Sequence, residues 1–118
     1  MKNQGLLRRF GFALAGLRAT WRSEHSFRIH VIATAVVLGT LLWLRPPPSW
    51  WAIAALTIAF VMATEVVNTA LERLADHLHP QQHPAIKAVK DCAAGAVLVA
   101  SIAALGVAAA FVYDVLLR

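Results

Sequence analysis

Glu65, Asn68, Glu72 and Asp76 are the residues of this chain best placed for chemistry. At about 100° per residue they fall within roughly 80° of arc, so they form one polar stripe on one face of a single helix. The stripe grows out of the end of an apolar run fit for a membrane, where an acid at the centre of a span costs about 2.5–3.5 kcal/mol on translocon scales. Acids in that position mark a functional site. Carboxylates with an amide between them are hard oxygen donors, suited to a divalent cation such as magnesium, which takes one or two protein carboxylates together with phosphate oxygens. A carboxylate left over could accept the proton of an attacking hydroxyl.

Elements long enough to position such a stripe are easy to find. Of 118 residues, 59% are hydrophobic, and residues 31–44 and 50–64 carry no ionisable side chain. A longer uncharged run covers 92–113. Only this last run reaches the length of about 20 residues needed to cross a bilayer unaided. The other two reach it by extension toward Phe27 and Leu71, which places polar groups at a membrane face. The expected architecture is an all-α membrane protein forming one domain over 1–118. It has an amino-terminal amphipathic surface helix over about 5–24 and three transmembrane helices over about 27–45, 49–72 and 90–114. Arg45-Pro46-Pro47-Pro48-Ser49 breaks the first two spans apart, because three prolines impose an extended turn. Trp43, Trp50 and Trp51 flank that turn as an aromatic belt.

The net charge of +5 would point to nucleic acid in a soluble protein. Here Lys2, Arg8, Arg9, Arg18, Arg22 and Arg28 all precede the first span. This is the positive-inside pattern, with a cytoplasmic amino terminus and no nucleic-acid partner. No signal peptide is expected. Leu6, Phe10, Leu14, Leu17 and Trp21 share one helical face, as in a helix lying in the headgroup plane; packing on the bundle is the alternative. Three spans place the turn at 45–49 outside and the loop from about 77 to 90 in the cytoplasm. Glu24, the stripe and Lys90-Asp91 then meet at the cytoplasmic end of the bundle, where nucleotide is found. Small residues crowd the third span, from Ala93-Ala94-Gly95-Ala96 through Ala100 to Gly106. They permit close helix approach and point to self-association.

Each group also has an ordinary explanation. Glu72, Arg73 and Asp76 could be a solvated helix end, Lys90-Asp91 a helix start, and Glu24 among Arg18, Arg22 and Arg28 a surface ion pair. Glu65 sits deepest and has the fewest such explanations. His77, His79 and His83 read as a polar loop better than as a metal site, and the single Cys92 leaves no intramolecular disulfide. No Gly-x-x-x-x-Gly-Lys loop, Gly-x-Gly-x-x-Gly turn or kinase catalytic-loop pattern occurs, so a phosphotransferase here would use none of the common nucleotide devices.

Glu65-Val-Val-Asn-Thr-Ala-Leu-Glu72, followed by Asp76 and Lys90-Asp91, resembles the prokaryotic diacylglycerol kinase family of small integral-membrane lipid kinases. Gly16-Leu17-Arg18-Ala19, Trp21, Glu24, Phe27-Arg28 and Ala93-Ala94-Gly95-Ala96-Val97 match in order and spacing, so the resemblance covers nearly the whole chain. It implies a homotrimer in the bacterial inner membrane that phosphorylates a lipid hydroxyl with magnesium ATP at a cytoplasmic active site. Carried over, Glu65 is the general base, and Glu24 and Glu72 hold Mg2+. Asn68, Asp76, Lys90 and Asp91 join them in contacting nucleotide. Arg18, Arg28 and Ala94, with Glu65, are candidates for the lipid site. Phe12 and Gly5 stand where some members have a nucleotide-contacting tyrosine and arginine, with Arg8 or Arg9 as the candidate substitute. His30 stands where enterobacterial diacylglycerol kinases have an acid, and the run from Lys90 to Ala96 looks more like the undecaprenol kinase branch. The acceptor is thus diacylglycerol or undecaprenol. Two readings of other classes are a small proton or ion conductor through Glu65 and Asp76, and a noncatalytic membrane partner.

Overall fold

A computed structural model describes residue 3 and residues 5–118; Lys2, counted above among the amino-terminal charges, lies outside them. Helix α1 (Leu6–Ser23) is followed by α2 (His25–Leu44), α3 (Pro48–Leu78) and α4 (Pro84–Phe111), which runs into a terminal π-helical turn (Val112–Leu117). Helices α2, α3 and α4 with its π-helical extension are each long and apolar enough to cross a membrane. The expected surface helix and three spans are all present.

The connections follow from local chemistry. Glu24 alone separates α1 from α2, in extended backbone, with its N–H bonded to the Thr20 carbonyl at 2.8 Å. Leu6, Phe10, Leu14, Leu17 and Trp21 stay exposed, so the apolar face of α1 is turned away from the bundle as a membrane-surface helix requires. Helix α2 ends where Arg45 adopts a left-handed conformation (φ 47°) and its N–H bonds the Leu41 carbonyl at 2.8 Å. Pro48 then opens α3 at the first helical position, where its missing N–H is no loss.

Helix boundaries differ from expectation at the other end. Helix α3 continues to Leu78, beyond the 49–72 segment, and α4 begins at Pro84, not near 90. The intervening loop shrinks to 79–83. Charged residues mark where a helix leaves lipid, not where it stops: 31 residues at about 1.5 Å each give roughly 46 Å, against roughly 30 Å of hydrocarbon. His83 starts α4 with a cap, its Nδ1 accepting the Ala85 N–H at 3.0 Å.

Packing is closest between α3 and α4. Ala93 and Ala100, seven residues apart on one face of α4, are buried, while Val61, Glu65 and Thr69 form the buried stripe of α3. Trp50, expected in an aromatic belt, also joins the helices at the end far from Asp76. Its Nε1–H donates to Asp114 Oδ2 at 2.9 Å and its ring meets Phe111 edge to face at 5.2 Å. Arg118 pairs with the other Asp114 oxygen at 3.1 Å.

A Trp50→Phe substitution keeps the ring contact and removes the hydrogen bond to a half-buried carboxylate. It is expected to lower stability by about 1–3 kcal/mol, measured by reversible unfolding in mixed micelles.

Candidate functional site

The buried stripe of α3 carries a carboxylate into its centre. Glu65 is 3% exposed, and its place between Val61 and Thr69 on one helical face leaves it no route to water along α3. Helix α2 supplies its partners. Ser26 Oγ donates to Glu65 Oε2 at 3.2 Å, and His30 Nε2 lies 3.5 Å from Oε1. Thr69 Oγ1 bonds the Glu65 backbone carbonyl at 3.0 Å, leaving the carboxylate to α2. Sequence reasoning noted His30 only as a departure from a family pattern and overlooked Ser26. Their spacing of four residues at the mouth of an apolar run is the signal that could have found them.

Asn68 and Glu72 are half-buried beside this stripe, with Asn68 Nδ2 donating to Glu72 Oε1 at 3.4 Å. Asn68 Oδ1 is buried and has no hydrogen-bond partner among the described residues, an acceptor open to a ligand's donor. Asp76 is exposed and pairs with Lys90 at 2.5 Å, linking α3 to α4. Asp91 turns along its own helix to Lys87 at 2.6 Å. Lys90 and Asp91 therefore lie two turns inside α4, not at a helix start. Exposed pairs of this kind contribute little stability, so their ions stay available to a ligand at small cost.

Glu24 sits at the α1–α2 junction, half-buried, and its carboxylate makes no ion pair among the described residues. The surface pairing with Arg18, Arg22 or Arg28 does not form. Arg18 is exposed on α1, Arg28 is half-buried one turn past Glu24, and Ala94 is exposed beside buried Ala93. Arg73, which sequence reasoning left as a solvated residue, reaches from α3 to the Ala19 carbonyl at 3.4 Å and to the Ser23 hydroxyl. It fastens the end of α1 one residue before Glu24.

His83 is occupied as a helix cap and His79 Nδ1 faces the Gln81 carbonyl at 2.8 Å. Among the described residues no three His, Cys, Asp or Glu side chains converge as a ready-made metal cage. Between α2, α3 and α4 runs a cleft of about 550 Å³, its walls almost wholly apolar. His30 and Met62 line one end and Trp50 and Phe111 the other, so the cleft leads up to the residue beside Glu65.

Residues 11–112 match the sequence profile described as prokaryotic diacylglycerol kinase. The chain belongs to that family. A diacylglycerol kinase of Synechocystis sp. is 41% identical over 100 residues, covering 84% of this chain and 57% of the relative. An undecaprenol kinase of Bacillus subtilis is 37% identical over 90 residues, covering 76% and 73% respectively. A diacylglycerol kinase of Escherichia coli is 28% identical over 99 residues, covering 84% and 81%. The chain thus matches little more than half the length of the Synechocystis relative. Within the diacylglycerol kinase family, the resemblance read from Glu65 to Asp76 is borne out. The comparisons leave individual site residues to the geometry.

If Arg73 fastens the α1–α2 junction, Arg73→Ala should speed amide hydrogen exchange across 19–24 several-fold while leaving α3 and α4 unchanged. Equal acceleration along α3 would mean that Arg73 supports the bundle, not the junction.

Proposed function

We propose that this protein is an ATP-dependent lipid kinase of the bacterial inner membrane, phosphorylating the hydroxyl of diacylglycerol to give phosphatidic acid. The observation that carries this reading is a single polar stripe on α3 that begins at buried Glu65 and ends at exposed Asp76 beside Lys90. One end suits a hydroxyl that stays in the membrane, the other a nucleotide that stays in water. The apolar cleft leading to His30 fits an acceptor with a hydrocarbon chain.

In this mechanism Glu65 takes the proton of the acceptor hydroxyl as the hydroxyl oxygen attacks the terminal phosphorus of ATP in line, and the bond from that phosphorus to the bridging oxygen breaks to release ADP. Lys90 offsets phosphate charge, while Asn68, Asp76 and Asp91 position the nucleotide. Arg18 and Arg28 face the headgroup region, and Ala94 offers a small side chain where the acceptor approaches α4. Holding both substrates at one helix removes much of the entropic barrier. The donor set fits magnesium: Glu24 and Glu72 are hard carboxylates, Glu24 makes no ion pair among the described residues, and a site of few protein carboxylates suits an ion that prefers phosphate oxygens as well. Glu24 and Glu72 would hold the ion, which would supply charge neutralisation at the phosphates. The amino terminus and the site face the cytoplasm, and the chain assembles as a homotrimer. The largely unburied faces of its spanning helices support that assembly.

Undecaprenol is the second acceptor, favoured by His30, by the run from Lys90 to Ala96, and by the Bacillus relative. The conductor reading has no such support, since the carboxylate of Glu65 is taken up by Ser26 and His30 and the adjoining cleft is apolar.

Labelled magnesium ATP, with diacylglycerol and undecaprenol in parallel mixed micelles, is expected to yield mainly phosphatidic acid. Preference for undecaprenol would assign the other acceptor, and label in neither, from folded oligomeric protein, would overturn the kinase reading for both. Glu65→Gln is expected to cut turnover by at least about 10²–10⁴-fold with insertion and oligomer unchanged. Glu24→Gln and Glu72→Gln should each move the magnesium titration to higher concentration; an unmoved titration refutes their role as ligands.

A further inference from the structure

Phosphoryl transfer as proposed needs Glu65 aimed at the acceptor hydroxyl, and this side chain is buried on α3, a helix long and apolar enough to cross a membrane. A buried carboxylate needs polar partners on its oxygens. Both partners come from one face of α2. Ser26 and His30 are four residues apart, and each addresses a different oxygen of Glu65, at 3.2 Å and 3.5 Å.

We propose that Ser26 and His30 are a positioning pair for phosphoryl transfer, holding the Glu65 carboxylate fixed in orientation toward the acceptor hydroxyl. The proposal rests on Glu65 as the general base. Each carboxylate oxygen has two lone-pair sites, so a donor on each leaves room for the incoming proton. Two anchors on different oxygens also prevent the carboxylate from rotating about its terminal bond, which one anchor would not. His30 holds the longer contact, and catalytic hydrogen bonds that are long without substrate tighten when it binds. Its side chain is 25% exposed and lines the apolar cleft, so the imidazole lies between the acceptor's path and the base. A residue there acts on the chemical step through Glu65 and leaves nucleotide binding, farther along α3 at Glu72 and Asp76, alone.

Three variants of the full chain test this in mixed micelles, with the better of the two lipid acceptors, by kcat, the KM for magnesium ATP and equilibrium binding of a nonhydrolysable ATP analogue. His30→Leu keeps bulk without a donor and is expected to lower kcat by about 10²-fold, with KM for ATP and analogue affinity unchanged. His30→Gln restores an N–H donor and should recover at least about a tenth of wild-type kcat. Ser26→Ala should lower kcat about tenfold, again without change in nucleotide affinity. Turnover of His30→Leu within about twofold of wild type, or His30→Gln as slow as His30→Leu, overturns the proposal. Where His30→Leu does not assemble, Ser26→Ala and His30→Gln decide. Glu65→Gln in the same series separates the two levels. If it keeps wild-type turnover, the general-base reading falls and the pair with it. If it is inactive while the α2 variants match wild type, only the pair falls.

Discussion

A carboxylate on the buried face of a membrane helix constrains everything around it. Glu65 shares that face with Val61 and Thr69, so α3 must present it to a neighbour, and the neighbour must bring donors. Those donors fix which side of α2 faces α3, because Ser26 and His30 lie on one side of that helix. Apolar matching alone would leave the rotation of α2 loosely set, since lipid tails and leucine side chains are nearly equivalent surroundings. The polar contact supplies the missing specificity.

The opposite end of the bundle is fixed by different means. Trp50 on α3 binds Asp114 beyond α4, while Arg45 in a left-handed turn and the prolines after it return the chain from α2 to α3 within a few residues. Between these ends α3 and α4 approach closely through alanines at 93 and 100. The α3–α4 hairpin is thus the rigid part of one chain. Helices α1 and α2 attach to it by discrete polar contacts from Glu65 and Arg73. The elements that carry Glu24 are held where they meet the hairpin, and that position sets where Glu24 stands relative to Glu72.

Much of this was legible in the sequence because it depends on spacing along a single helix. The stripe from Glu65 to Asp76, the break at the three prolines and the unpacked apolar face of α1 all follow from periodicity or backbone chemistry. Helix ends were less legible. The run of uncharged residues puts the start of the third span near Lys90, whereas Pro84 with its His83 cap starts the helix well before it. Cross-helix partners were not legible at all. Ser26, Arg73 and Asp114 are unremarkable residues locally, and each matters only through a side chain about 39, 50 or 64 positions away in sequence. The same limit applies to Lys90, whose partner is Asp76 on the preceding helix.

The exposure gradient along α3 explains how so small a chain could join two reactants that never share a solvent. From Glu65 to Asp76 the helix rises about 16 Å, roughly half the hydrocarbon thickness. Over that distance the stripe passes from buried, through half-buried Asn68 and Glu72, to exposed. On the proposed reading a charged nucleotide would be excluded from the deep end by the cost of desolvation, and a lipid acceptor kept from the shallow end by its chain. Both would be admitted at the middle of the stripe, where Asn68 has an oxygen without a partner among the described residues and Glu72 is only partly covered. Soluble kinases achieve the same meeting with a phosphate-binding loop and a closing lobe. On the proposed reading the membrane boundary itself would order the substrates along one helix, leaving the protein to keep its deepest acid correctly aimed.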